Sequence, residues 1–216
     1  MADRDDAVER AELLLSLRKR GMRDRMVMSA FEKVPRERFV EPAFRPFAWN
    51  DQALPIDCGQ TISQPAVIAL MTDALDLTAA HTVLEVGTGS GYHAAILAHI
   101  VKSVVTVERF HTLASTAQAR LRQLGLSNVE VLVADGTFGC PPRAPFDRIV
   151  VNAAVREVPP ALFEQLAPNG VLIAPVGPPE ETQRLMRYAL TADGVVQRDL
   201  GPVRFVPLLP GVATVL

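Results

Sequence analysis

Cysteine occurs only twice in this chain, as Cys58 and Cys140, and histidine four times, as His81, His93, His99 and His111. Two cysteines build neither a disulfide framework nor, alone, a zinc site, so two thiols are expected. The histidines show no H-E-x-x-H or comparable ligand spacing, and no metal is expected. A basic surplus is missing as well: the formal net charge is −2, which gives no electrostatic reason to expect nucleic acid. The cluster Arg18-Lys19-Arg20, with Arg23 and Arg25 nearby, reads as a solvated helix end, where cations suit the dipole. No apolar run approaches the roughly 20 residues of a membrane span, and residues 1–6 carry mixed charge without the apolar stretch of a secretory signal. These absences lead to the expectation of a cytoplasmic protein with neither membrane nor nucleic acid as partner.

What the chain does have is the stretch Val83-Leu84-Glu85-Val86-Gly87-Thr88-Gly89-Ser90-Gly91-Tyr92, an apolar run broken by alternate glycines. It reads as strand, tight turn and helix start. Glycine tolerates φ > 0 and carries no Cβ, so backbone N–H groups can approach a ligand there. The dinucleotide fingerprint G-x-G-x-x-G needs its third glycine one residue later than Gly91, which disfavours a nicotinamide dehydrogenase. Glu85, two residues before the first glycine, would repel a pyrophosphate and suits a ligand with a positive charge and amine donors. S-adenosyl-L-methionine, a sulfonium with an α-amino group, meets that description.

At 216 residues the chain can fill one core with small appendages rather than two large domains. The expectation is a single Rossmann-like domain, divided into an N-terminal helical and irregular cap (1–60), a cofactor-binding core (61–180) and C-terminal strands (181–216). Apolar spacing predicts a helix over 7–20, stopped by Gly21, and a second one capped by Asp24 and ended by Pro35. Residues 35–60 mix prolines with Phe39, Phe44, Phe47 and Trp49, which suits an irregular segment packed by aromatics. Ser63, followed by Pro65, reads as the N-cap of a helix running to about Leu77. Capping explains Ser63 completely, yet a hydroxyl at a helix N-terminus would also welcome a carboxylate.

From residue 82 the pattern alternates strand and helix, which implies a parallel sheet with helices on both faces. Strands are predicted near 82–87, 103–108, 129–134, 147–153 and 170–176, with helices near 91–101, 110–124 and 159–167. Glu108 ends the second of these strands, where an acid can accept from both ribose hydroxyls. Asp135 follows the third, placed to accept from an adenine amino group beside Gly136, although Asp-Gly is also an ordinary turn. Thr182–Leu190 and a last strand over 203–209 suit a terminal antiparallel hairpin. The fold class is thus α/β: a Rossmann-like, mostly parallel sheet with a small helical cap and a C-terminal hairpin.

Taken together, these residues resemble the protein-L-isoaspartate O-methyltransferase family over nearly the whole chain. The carriers are Leu54-Pro55-Ile56, Gly59-Gln60-Thr61-Ile62-Ser63-Gln64-Pro65, the glycine turn, Ala134-Asp135-Gly136, Ala144-Pro145-Phe146-Asp147, Pro175-Val176-Gly177 and Arg204-Phe205-Val206-Pro207-Leu208. The turn is common to many methyltransferases. The Gln-Thr-Ile-Ser-Gln-Pro segment and the Phe-Val-Pro-Leu ending are far more specific. The resemblance implies methyl transfer from S-adenosyl-L-methionine to the α-carboxyl of L-isoaspartyl residues in damaged proteins and peptides, leaving S-adenosyl-L-homocysteine. It implies Ser63 as the active-site hydroxyl. The implied cofactor shell is Thr61, Ile62, Ser63, Glu85, Gly87, Thr88, Gly89, Ser90, Gly91, Glu108, Arg109, Asp135 and Gly136. Acceptor contacts fall on Ser63 and on Val206, Pro207 and Leu208, where an extended segment could pair with a peptide although Pro207 lacks a donor. Two departures bear on the acceptor pocket: Ala66 stands where the family often has a larger residue, and Asn152 where threonine is expected. The alternatives are a methyltransferase for another carboxylate and a non-catalytic module that keeps the fold.

Overall fold

The computed structural model describes residues 2–213. Helix α1 (Ala2–Lys19) buries Leu13 and Leu17, and α2 (Arg25–Lys33) buries Val27, Met28, Ala30 and Phe31. Asp24 caps α2 as its position predicts, its carboxylate accepting from the Val27 N–H at 2.8 Å. Two 3₁₀ turns follow, Arg36–Phe39 and Pro42–Phe47, and of the aromatics only Phe39 and Trp49 are fully buried. Within the stretch expected to be irregular, β1 (Leu54–Pro55) pairs antiparallel with β2 (Thr61–Ile62).

Helix α3 (Pro65–Ala74) corrects the capping expectation. Gln64, not Ser63, holds the N-cap position and makes no side-chain cap. The Asp51 carboxylate does that work from outside, accepting from the Ala66 N–H at 2.8 Å and from Gln64 Nε2 at 3.0 Å. The Ser63 hydroxyl is thereby released from capping. α3 also stops short of Leu77, because Asp76 enters the left-handed region at φ +50°.

The main sheet is built by β3 (Thr82–Val86), β4 (Ser103–Glu108), β5 (Val129–Val133), β6 (Phe146–Val151), β7 (Leu166–Val176), β8 (Gln183–Thr191) and β9 (Gly194–Val203). Between them lie α4 (Tyr92–Ala98), α5 (His111–Gln123) and α6 (Pro160–Glu164). Strand order is β5-β4-β3-β6-β7-β8-β9, parallel from β5 through β7 and antiparallel for β8 and β9. The parallel strands are apolar on both faces, as double coverage by helices requires. One cluster, with Leu17, Phe31, Met71 and Ile96, packs under the N-terminal helices, and a second, with Phe146, Leu162, Leu172 and Tyr188, fills the opposite face.

The chain winds outward through β3, β4 and β5, then returns to place β6 on the other side of β3. The carboxyl ends of β3 and β6 therefore mark the switch point at which such sheets open a ligand crevice. Several boundaries differ from expectation: α1 begins at Ala2 rather than residue 7, and α4 ends at Ala98 rather than 101. β7 begins at Leu166, which shortens α6, and the last strand ends at Val203 instead of covering 203–209. Beyond Val203 the Phe205 N–H donates to Gln183 Oε1 at 2.9 Å, and Pro207 has no N–H to continue a ladder. No helix among the described residues is long and apolar enough to cross a membrane.

Candidate active site

Gly87, Gly89 and Gly91 have φ of +94°, +53° and +88°, a conformation L side chains rarely adopt. The turn is tied to the end of β4 by Glu108, which accepts from the Gly89 N–H at 2.9 Å (Oε2) and the Phe110 N–H at 3.1 Å (Oε1). A carboxylate has about four lone-pair sites, so Glu108 keeps acceptor capacity for a ligand.

Beside the turn lies an open crevice walled by segments from several elements. The 61–63 segment contributes Thr61, Ile62 and Ser63 to its wall, and the turn contributes Gly87, Thr88, Gly89 and Ser90. Glu108 and Arg109 line it from the end of β4, Gly136 from beyond β5, and Val206, Pro207 and Leu208 from the C-terminal segment. Residues remote in sequence thus converge on one crevice.

Three of the expected residues are not on the wall of this cavity. Glu85 is fully buried and does not line the cavity. Alternation along β3 sends Val83 and Glu85 toward α4, while Leu84 and Val86 join the opposite cluster. There Glu85 Oε2 lies 2.5 Å from Thr106 Oγ1, which is itself 2.6 Å from Thr88 Oγ1, and Oε1 accepts from Asn152 Nδ2 at 2.9 Å. Burial pushes the Glu85 carboxyl up to about 8, against the opposing hydrogen bonds from Thr106 and Asn152. Gly91 also lies off the cavity: a Cβ there would sit 3.2 Å from Ala117 Cβ, so its bareness serves the packing of α4 on α5.

Asp135 is the third. Its Oδ1 accepts from the Thr137 N–H at 2.9 Å and the Thr137 hydroxyl at 2.6 Å, and its Oδ2 accepts from the Gly211 N–H at 2.6 Å. Burial opposes ionisation, but these bonds outweigh it and hold the carboxyl below its ordinary value. Asp135 therefore fastens the C-terminal segment over the crevice. Arg109 assists, donating to the carbonyls of Gly211 (3.2 Å) and Pro210 (3.4 Å).

A second cavity adjoins the first and shares Thr61, Ser63, Asn152 and Val206 with it. Its remaining wall includes Gln64, Val67, Thr182, Arg204 and Phe205. Of the two departures, Asn152 lies on the shared wall, whereas Ala66 lines neither cavity and packs against the core. The 206–208 edge is already paired: Ala154 N–H donates to Val206 O at 2.7 Å and Leu208 N–H to Ala154 O at 2.8 Å. This turns Pro207 outward, where it presents a carbonyl and no donor. An added peptide strand would find one acceptor at that residue.

His93 and Arg36 carried no sequence signal. His93 is buried against Asn152, with Nδ1 3.1 Å from Asn152 Oδ1 and Nε2 3.1 Å from Thr72 Oγ1. Burial pulls its imidazole down to about 4, so it is neutral at pH 7. Only strand register and the end of β6 bring these groups together.

Residues 8–213 match the family model described as Protein-L-isoaspartate(D-aspartate) O-methyltransferase (PCMT). The chain is 55% identical over 211 residues to protein-L-isoaspartate O-methyltransferases of Xanthobacter autotrophicus and Azorhizobium caulinodans, covering 98% of this chain and 96% and 97% of theirs. A solved protein-L-isoaspartate O-methyltransferase is similar with a TM-score of 0.82 and 30% identity, over 92% of this chain and 65% of that one. A Plasmodium falciparum structure assigned as such an enzyme, in complex with S-adenosyl-L-homocysteine, gives a TM-score of 0.79 and 25% identity over 92% of this chain and 97% of that one.

Proposed function

The chain belongs to the protein-L-isoaspartate(D-aspartate) O-methyltransferase family, and we infer that it repairs damaged proteins by methylating the α-carboxyl of L-isoaspartyl residues with S-adenosyl-L-methionine. The observation that carries the division of labour is the wall shared by the two cavities, at Ser63 and Asn152. The cavity beside the glycine turn takes the cofactor, and the adjoining one takes the isoaspartyl residue.

The residues on the page fit the cofactor. Glu108 retains lone pairs at the end of β4 for hydroxyl donors, Gly136 leaves room for a flat base, and Thr61, Ile62, Gly87, Thr88, Gly89, Ser90 and Arg109 close the wall around it. When bound, the cofactor supplies an electrophilic methyl group on a cationic sulfur. Glu85, Gly91 and Asp135 act from behind, on Asn152, on α4 packing and on the C-terminal segment.

The chemistry asks little proton transfer of the protein. A carboxyl with an ordinary pKa near 4 is already ionised at neutral pH and needs no general base. Ser63 orients it by donating a hydrogen bond, and alignment supplies much of the rate. Opposite charges cancel as the methyl moves, which a water-poor crevice favours. The product ester reacts onward without the enzyme: the adjoining amide nitrogen attacks the ester carbonyl, methanol leaves, and water opens the succinimide to aspartyl or isoaspartyl peptide.

The 1–60 cap, the 61–180 core and the C-terminal part from 181, of which 214–216 lie outside the described residues, form one catalytic domain in this reading. Its partners are isoaspartyl proteins and peptides in the cytoplasm, in keeping with the net charge of −2 and the thiols of Cys58 and Cys140. The test is labelled-methyl transfer to an isoaspartyl peptide and to its aspartyl twin. Labelling of the first alone is expected; equal labelling of both would instead mean a methyltransferase for carboxylates in general.

A further inference from the structure

We propose that His93 is a positioning residue for methyl transfer, which through its hydrogen bond to Asn152 fixes the wall between the cofactor cavity and the acceptor cavity. The proposal rests on the assignment of the two cavities given above.

The argument is a count of protons. Asn152 Nδ2 lies 2.9 Å from Glu85 Oε1 and 3.3 Å from the Gly87 carbonyl, so its two N–H groups serve two acceptors when the proton that Glu85 holds at neutral pH sits on Oε2, toward Thr106. That leaves Oδ1 facing His93 Nδ1 at 3.1 Å, and in this orientation of the amide the proton of that bond is on the imidazole. The orientation pairs with the Nδ1–H tautomer of His93. Its bare Nε2 then shares the Thr72 hydroxyl proton with the Ile68 carbonyl, which lie 3.1 and 2.7 Å from Thr72 Oγ1.

Rotating the Asn152 amide by half a turn would set its oxygen against the Gly87 carbonyl, a repulsive contact, and its NH₂ against Nδ1, which only the other tautomer accepts. The imidazole tautomer and the direction in which Asn152 points are therefore fixed together. Asn152 in turn holds the carbonyl of the first glycine of the turn, and a Cβ on Gly87 would meet Asn152 Cβ at 3.4 Å. One imidazole therefore sets both the turn that carries the cofactor and the wall the acceptor meets. Full burial keeps it neutral at pH 7, so the orientation is permanent under working conditions.

The test uses His93→Asn, His93→Gln and His93→Leu in the full chain, with an ¹⁵N imidazole spectrum of the unsubstituted protein. An Asn amide sits where Nδ1 was and can still donate to Asn152, whereas a Gln amide reaches toward Nε2 and Thr72. Expected are kcat for isoaspartyl peptide within about threefold for H93N, and a loss of about tenfold or more for H93Q and H93L, matching one hydrogen bond of about 1.4 kcal/mol. The reverse order, Gln active and Asn impaired, would make His93 a tie between α4 and α3 and overturn the proposal, as would equal loss in all three. The spectrum is expected to show protonated Nδ1, and protonated Nε2 would also overturn it. Failure of the unsubstituted protein to methylate the peptide would refute the functional reading instead, while the spectrum still decides the tautomer.

Discussion

Arg36 donates from Nη2 to the backbone carbonyl of Ser63 at 2.8 Å, across 27 positions of sequence. The same guanidinium donates to Ala48 O at 2.8 Å and Gln52 O at 3.3 Å, and lies 4.6 Å from the centre of the Tyr92 ring. It is fully buried, and burial lowers its pKa from the ordinary value. A cation so placed ties the N-terminal cap to Ser63, the residue proposed to orient the acceptor. R36M strips the donor from three carbonyls and is expected to cost about 3 kcal/mol or more. R36K keeps the charge but loses the fork, and should fall between the two. Urea unfolding at constant m-value measures both, and the KM for peptide should rise in the same order.

Ser63 lies on both cavities, so its substitution separates acceptor from cofactor. S63A removes one hydrogen bond to a charged group, and kcat/KM for isoaspartyl peptide should fall about 10- to 100-fold. Cofactor affinity by calorimetry should change by less than about threefold, because that cavity has many other contacts. An equal fall in cofactor affinity would move Ser63 wholly into the cofactor shell.

Two glycines of the crevice should respond differently to a methyl group. A Cβ on Gly136 would lie 2.6 Å from Val86 Cγ1, so β3 must shift, and G136A is expected to cost about 1–3 kcal/mol. A Cβ on Gly89 would meet nothing nearer than Ile56 Cδ1 at 3.6 Å, and only the left-handed backbone opposes it, at about 1–2 kcal/mol. Thermal denaturation should rank G136A below G89A, with cofactor binding weakened more in G136A.

Glu85 and His93 impose opposite pH dependences. Burial raises Glu85 from 4.5 to about 8, so the folded state holds a proton that the unfolded state loses above 4.5. Burial lowers His93 from 6.5 to about 4, so the unfolded state holds a proton that the folded state lacks below 6.5. Between pH 4.5 and 6.5 the two slopes cancel. Above 6.5 Glu85 acts alone, the unfolded state binds fewer protons, and stability falls by about 2 kcal/mol toward pH 8. E85Q should abolish that alkaline decline, read as urea midpoints at pH 6.5 and 8.

Much of this was legible along the chain. Strands buried on both faces give continuous apolar runs, which is why β3, β4 and β6 stand out, and the alternate glycines after Val86 mark the crevice. Glu108 was readable because a strand end leaves an acid beside the crevice. Glu85 was not, since its place before Gly87 says nothing of which face of β3 it occupies. Ser63 looked like a cap because the true cap, Asp51, acts through space from 13 residues before Gln64. The second cavity gathers Val67, Thr182 and Arg204 from distant segments and has no local pattern. Pro207 warned that no strand would continue there, and that warning should have outweighed the apolar run around it.

The wall common to the two cavities also has a pharmacological reading. Among the described residues, Thr61, Ser63, Asn152 and Val206 line both cavities, so a ligand that reaches from one side to the other passes them. Two weak fragments, a nucleoside in one chamber and a carboxylate in the other, would gain from a short tether through that gap, because the second would bind at the effective concentration the tether sets. A tether too bulky for the Ser63–Asn152 passage would forfeit the gain, and the width of one doorway would govern inhibitor potency.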